Sequence, residues 1–107
     1  MHTLLIEGRV KPGKKSEFIT TWNREILPTL KKQPGFVDEI LLFSTTEPEA
    51  GAGISLFKTR EDAERYHREV FGRMAGTVQH LMTGPPTVRQ FNVEASETSR
   101  IAAKAAA

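Results

Sequence analysis

The segment FVDEILLFS, residues 36–44, is an apolar and aromatic run that follows a Pro34–Gly35 turn and precedes a polar loop. It is too short for a typical helix and rich in strand-forming residues, so it predicts a strand. The loop at residues 45–51 leads to ISLFK, residues 54–58, a second predicted strand that can pair antiparallel with the first. These two strands are therefore expected to be consecutive elements in the middle of the chain, with the other predicted elements before and after them.

Two amphipathic helices are predicted, one before and one after this pair of strands. Ser16 is the expected N-cap of the first helix, and Pro28 is expected to kink or end it. Thr59 is the expected N-cap of the second, which can break near Gly72 and ends at Gly84. Apolar residues recur at three- and four-residue steps in both. The stripes are Phe18, Ile19, Trp22, Ile26, Leu27 and Leu30, then Ala63, Tyr66, Val70, Phe71, Met74, Val78, Leu81 and Met82.

Residues 3–10 and 87–95 are predicted to be the first and last strands, with Leu4, Ile6 and Val10 sharing one face of the first. The order β-α-β-β-α-β predicts an α+β, ferredoxin-like split fold, with two helices on one face of a four-stranded antiparallel sheet. Alternation cannot place every large apolar strand residue under the helices, so the open face is also apolar and a homodimer with two sheets face to face is expected. The residues concerned are Leu5, Val37, Leu41, Phe43, Phe57 and Phe91.

The composition fits one globular domain at residues 3–96, followed by an Ala-rich tail at 97–107. The 107 residues are 38% hydrophobic and 26% charged, with a net charge of +2 and no cysteine. The lysines and arginines are dispersed or lie at turns and helix ends, so no nucleic-acid partner is expected. The N-terminal apolar run is too short for a signal peptide or a membrane span, which predicts a cytoplasmic protein without a membrane partner.

The chain from Thr3 to Ser96 resembles the antibiotic biosynthesis monooxygenase family of dimeric α+β barrels. The motifs that carry the resemblance are VKPG (10–13) before Glu17–Phe18, Pro28 before QPGF (33–36), SLF (55–57) before EDAERY (61–66), and the strand after Pro85–Pro86. The resemblance implies the fold and a range of activities, which include cofactor-independent oxygenation of polycyclic phenols and haem degradation.

Tyr66 and His67 are the candidate catalytic residues on the second helix. His67 lies beside the apolar stripe and can act as a base or ligate haem iron. Its alternative role is a boundary histidine that is hydrogen-bonded at the edge of the core. Glu64 and His67 form a Glu-x-x-His spacing, but a di-iron site needs a second copy, so no metal is expected.

The candidate substrate-binding residues are mostly aromatic: Trp22, Phe43 and Phe57 would line a pocket with Tyr66 for a flat ligand, and simple core packing is the alternative. Asn23 would lie at the pocket mouth. Arg89 would pair with a carboxylate across the dimer or hold an anionic ligand.

Asp38 and Glu39 are adjacent in a strand, so they point to opposite faces and cannot form a carboxylate dyad. One of them can face inward, although a rim position is expected.

The resemblance implies a cofactor-independent monooxygenase that acts on an aromatic or polycyclic phenol-like small molecule. The alternative is a non-catalytic, small-molecule-binding or stress-associated dimeric module. The resemblance implies Asn, Trp and Tyr for the oxygenase chemistry, whereas this chain has Phe57 where relatives commonly have Trp. Haem degradation fits less well, because the first strand offers Glu7 and Arg9 but no Asn, and Ala75 falls near the position of the haem ligand.

Overall fold

The computed structural model describes residues 1–96, which contain a four-stranded sheet backed by two helical segments. The strands are β1 (His2–Arg9), β2 (Phe36–Phe43), β3 (Ala50–Phe57) and β4 (Thr87–Asn92). Their spatial order is β2-β3-β1-β4, and every neighbouring pair is antiparallel. This confirms the predicted α+β, ferredoxin-like fold. The predicted Ala-rich tail lies outside the described residues.

The first helical segment consists of α1 (Lys15–Thr21), a π-helical turn (Trp22–Ile26) and α2 (Leu27–Lys31). The prediction that Ser16 is the N-cap is wrong, because the helix already begins at Lys15 and has no side-chain cap. Pro28 lies in the first turn of α2, where its missing N–H costs little. The wider π turn precedes it, so the helical path continues to Lys31.

The second helical segment consists of α3 (Arg60–Glu69), α4 (Phe71–Val78) and a 3₁₀ turn (Gln79–Leu81). The Thr59 side chain accepts a 3.1 Å hydrogen bond from the backbone N–H of Asp62, which confirms it as the N-cap. The break between α3 and α4 falls at Val70, whose φ is −122°, two residues before the predicted position. No helix in residues 1–96 is long and apolar enough to cross a membrane.

Strand β3 begins at Ala50, four residues earlier than predicted. Its first half reads AGAG, a sequence with weak strand propensity, and it forms a strand because β1 and β2 pair with it on both sides. Strand β4 is shorter than predicted and ends at Asn92 instead of Ala95.

The helices cover one face of the sheet, and the main core lies between these two layers. Leu4 and Phe57 from the sheet are fully buried there against Leu30 and Leu81 from the helical segments. Each such side chain contributes roughly 1.5–3 kcal/mol through burial. The opposite, open face carries three exposed large apolar residues, Ile40 (41%), Leu42 (46%) and Phe91 (45%). Of the residues from which an apolar open face was predicted, Phe91 is among these three, whereas Leu41, Phe43 and Phe57 lie on the helix-facing side.

Candidate functional site

A cavity of about 100 Å³ lies between the helices and the sheet. Its floor is the helix-facing side of β1, β2 and β3, and its roof is formed by the π turn, α3 and α4. The lining is almost wholly apolar, and its charged residues in the described chain are Arg9 and Glu39. Such a cavity favours an apolar ligand with very few polar groups.

Three glycines lie in the floor of the cavity. Gly8 on β1 pairs with Gly51 on β3, and Gly53 lies two residues further along β3. A Cβ atom at Gly51 would lie 3.1 Å from the Phe43 ring, and one at Gly8 would lie 2.6 Å from the Met82 side chain. Glycine within a strand commonly marks a close approach of this kind. The glycines therefore let the Phe43 and Met82 side chains lie close against the floor.

Aromatic side chains form the walls. Trp22 reaches the cavity from the π turn, and Phe18 meets Phe43 edge to face with ring centroids 6.0 Å apart. Tyr66 enters from α3 and stacks on Phe57 with a centroid distance of 5.5 Å. Flat aromatic ligands pack well against walls of this type, by stacked or edge-to-face contacts.

A polar pair lies among these apolar walls. The hydroxyl of Ser55, which is 1% exposed, donates a hydrogen bond to Oε1 of Glu39. The pKa of the Glu39 carboxyl is raised to about 7, mainly by burial. The Ser55 hydrogen bond opposes this shift, and the negative charge of Asp38 adds to it. The carboxyl therefore changes its protonation state near neutral pH.

The Tyr66 phenol remains protonated at neutral pH. Burial raises its pKa, and the nearby negative charge of Glu39 adds to this effect. Tyr66 thus presents a neutral hydroxyl to the site, and Glu39 is the group that can exchange a proton.

The structure brings three of the predicted site residues to the cavity: Trp22, Phe43 and Tyr66. Phe57 is fully buried directly behind Tyr66, where it supports the wall but is absent from the lining. Asn23 is exposed on the helix surface.

The other two predicted residues also lie outside the cavity lining. His67 is half-buried and packs against Phe71, with ring centroids 5.1 Å apart. Arg89 lies on β4 opposite Leu5, on the open face, and donates a 2.5 Å hydrogen bond to Glu7 of the same chain. The carboxylate partner predicted for Arg89 is thus found within one chain.

Glu39 was expected at the rim, and that expectation is wrong because β2 contains a bulge. The pairing with β3 shifts between Phe36, opposite Phe57, and Asp38, opposite Leu56. Phe36 packs against the core, so simple alternation from Phe36 would turn Glu39 outward. The bulge reverses the alternation and turns Glu39 inward. Alternation counted back from Phe43 would have indicated this.

Among residues 1–96, no three histidine, aspartate or glutamate side chains are grouped so that they could hold a metal ion. The chemistry that the described cavity can supply on its own is binding of an apolar, flat molecule and transfer of a proton to or from Glu39.

The fold is that of a small α+β protein with an aromatic-walled cavity between sheet and helices. The sequence profile of the family described as antibiotic biosynthesis monooxygenase matches residues 1–77. The chain belongs to this family. No curated protein matches it significantly.

Solved structures show the same fold at low sequence identity. SnoaB, a cofactor-independent oxygenase from Streptomyces nogalater, is 21% identical with a TM-score of 0.74, and the match covers 90% of this chain and 95% of SnoaB. The monooxygenase ActVA-Orf6 of Streptomyces coelicolor, solved with nanaomycin D, is 12% identical with a TM-score of 0.76, covering 91% and 90%. A protein of unknown function from Nitrosomonas europaea is 14% identical with a TM-score of 0.72, covering 91% and 92%.

Proposed function

We propose that this protein is a cofactor-independent monooxygenase that oxidises a phenol-like aromatic small molecule within the cavity. One observation carries the proposal: the aromatic-walled cavity is lined, among residues 1–96, by a single carboxyl, that of Glu39, whose pKa is raised to about 7. Family membership and the structural similarity to SnoaB, itself a cofactor-independent oxygenase, support the reaction class.

The reaction needs no external reductant when the substrate supplies every electron. In an anthrone-type substrate, loss of one proton from the ring methylene gives an electron-rich, phenolate-type anion. That anion reduces dioxygen, and a new carbon–oxygen bond forms at the same carbon. One oxygen atom remains as a carbonyl, the other leaves as water with the two methylene hydrogens, and the carbon loses four electrons.

The walls contribute by binding and orientation. Trp22 and Phe43 can contact the faces and edges of an aromatic substrate, and Tyr66 can donate a hydrogen bond to the oxygen that becomes negatively charged. Exclusion of water from the apolar cavity strengthens that hydrogen bond and protects the reactive anion.

The size of the cavity bears on the substrate. The cavity, at about 100 Å³, is smaller than the engineered apolar cavity of roughly 150 Å³ that accepts benzene, so without rearrangement it holds at most one ring. A fused polycycle requires the cavity to widen. Met74 and Met82 line it, and their unbranched side chains can change rotamer to make room. We propose that the hydroxylated ring enters first.

The functional unit is proposed to be a homodimer. The exposed apolar residues Ile40, Leu42 and Phe91 all lie on the sheet face that the helices leave uncovered. A second copy that packs its own sheet against this face would bury them.

The test is oxygen uptake by the purified protein with anthrone and with a hydroquinone as substrates. We expect one molecule of dioxygen consumed per anthrone, with a quinone as the product and no added cofactor. Tyr66→Phe should lower kcat by about tenfold or more, because it removes a hydrogen bond to developing charge. His67→Ala is the matched control on the same helix and should retain activity.

A non-catalytic binding module remains the second candidate, and one observation favours it. Of the two residues predicted to be catalytic, only Tyr66 lines the cavity. Saturable binding of anthrone without any oxygen uptake would establish this second function.

A further inference from the structure

We propose that the Glu39 carboxylate is the catalytic proton acceptor of this cavity and that the Ser55 hydroxyl is the positioning group that holds it there. The inference rests on the proposed function, because it assigns a residue to the proton-removal step of that reaction. It concerns the one carboxyl in the described lining of the cavity.

The two oxygens of the Glu39 carboxylate have different surroundings. Oε1 accepts the hydrogen bond from Ser55 on the neighbouring strand. Oε2 lies over the glycine floor, 3.3 Å from the position that a Cβ of Gly53 would occupy. One oxygen is therefore tied to the sheet, and the other borders the space that a substrate would fill.

The Ser55 hydrogen bond explains how a carboxylate is kept in an apolar site. A charge moved from water to such a site is destabilised unless a donor compensates it. Ser55 is buried on the helix-facing side of β3, directly opposite Glu39 in the register of β2 and β3. The donor is thus fixed by the sheet itself, which holds the carboxylate without a cationic partner that would weaken it as a base.

The chemical step is a simple proton transfer. The C–H bond of an anthrone-type methylene, or the O–H bond of a phenol, breaks, and its electron pair stays on the substrate. The proton forms an O–H bond with Oε2 of Glu39 and later leaves with the water that the reaction releases. A carboxylate whose pKa is about 7 is a stronger base than an ordinary one and is still deprotonated at pH 8.

In the described part of the chain, few other ionisable groups lie near this carboxylate. Tyr66 approaches from α3 and stays neutral, and Asp38 is the adjacent residue on β2. Arg9 on β1 borders the cavity, but its side chain is directed to Glu47 at 3.7 Å and is half-exposed. The pH dependence of proton removal in this cavity is therefore assigned to Glu39.

The experiment measures proton removal without oxygen. Anthrone is incubated anaerobically with the protein in D₂O, and exchange of its methylene hydrogens is followed by NMR above the protein-free rate. We expect the wild-type exchange rate to rise with pH through about 7 and then level off. Glu39→Gln, which preserves the shape of the side chain, should lower the rate at pH 8 by about 100-fold or more. Glu61→Gln, which removes an exposed carboxyl in the first turn of α3 outside the lining, is the matched control and should remain within a few-fold of wild type.

Ser55→Ala tests the positioning role. Loss of the hydrogen bond that lowers the Glu39 pKa should move the midpoint of the exchange profile to higher pH. The maximal exchange rate, reached at pH values above the new midpoint, should stay close to that of the wild type. A purely structural role of Ser55 would lower the rate at every pH and leave the midpoint in place.

The outcomes separate this inference from the proposed function. Exchange that depends on Glu39, without oxygen uptake under air, would support the inference and end the oxygenase proposal. Oxygen uptake that is equal in wild type and Glu39→Gln would support the oxygenase proposal and overturn the assignment of Glu39 as the proton acceptor. Exchange at the same rate in wild type and Glu39→Gln, or no exchange above background in wild type, would overturn the assignment of Glu39.

Discussion

Ser55 donates a hydrogen bond to Glu39 across the β2–β3 pair, within a cavity whose walls are otherwise apolar. A bulge after Phe36 makes this relationship possible, because it turns Glu39 to the same side of the sheet as Ser55. The pair is therefore a consequence of strand register, and it supplies the cavity with its proton-accepting group.

Glu39→Gln is expected to stabilise the protein above pH 7. The folded-state pKa is raised from 4.5 to about 7, so the stability linked to this group is fully present below pH 4.5 and is lost as pH rises through about 7. The loss is at most roughly 3 kcal/mol. Glutamine does not ionise, so the variant does not lose this stability as the pH rises. Thermal denaturation should give a melting temperature several degrees above wild type at pH 8 and nearly equal at pH 5. A higher wild-type value at pH 8 would contradict the burial argument.

Gly53→Ala should weaken ligand binding by about tenfold, because the added Cβ would intrude on the cavity floor 3.3 Å from Oε2 of Glu39. Trp22 is the single tryptophan and lines the cavity, so its fluorescence reports anthrone binding directly. Gly72→Ala is the matched control, since a Cβ there meets nothing within 4 Å. The control should bind normally and gain up to about 1 kcal/mol of stability. Equal affinities in both variants would place the ligand elsewhere.

Phe57→Ala should destabilise the fold by about 3–5 kcal/mol. Phe57 is fully buried, stacks on Tyr66 and meets Phe36 edge to face at 6.2 Å. Chemical denaturation should show the loss as a lower midpoint. A change below about 1 kcal/mol would mean that Phe57 is not the packing residue described here.

Leu42→Glu should shift the protein from dimer to monomer, because it places a charge in the proposed interface. Leu42 is 46% exposed in the single chain and lies on the open face of β2. Gln79→Glu adds the same charge at an exposed helix end and should leave the assembly unchanged. Sedimentation velocity measures both. A monomeric wild type, or a dimeric Leu42→Glu variant, would exclude this interface.

The order of elements was predictable because the apolar periodicities are strong. The helical stripes through Trp22 and Tyr66 and the apolar run of β2 each have one clear period. The predicted start of β3 lies four residues after the observed one, because Gly51 and Gly53 have weak strand propensity. Pairing with strands on both sides overrides that propensity.

The cavity was predictable only in part. Trp22, Phe43 and Tyr66 were recognised from aromatic character and helix or strand phase, and all three line it. Glu39 was missed because a bulge shifts alternation by one residue and leaves no composition signal. His67 lies near the apolar stripe, but helix geometry directs its ring to Phe71, outside the cavity lining, which the stripe alone did not indicate.

Oxygen uptake at pH 8 with anthrone as the only added reagent tests the central claim most directly. The account predicts one dioxygen consumed per anthrone oxidised by the wild-type protein, and a rate at least about 100-fold lower for Glu39→Gln. An uptake rate no faster than that of anthrone in buffer alone, measured with protein that binds anthrone and is folded, would contradict it.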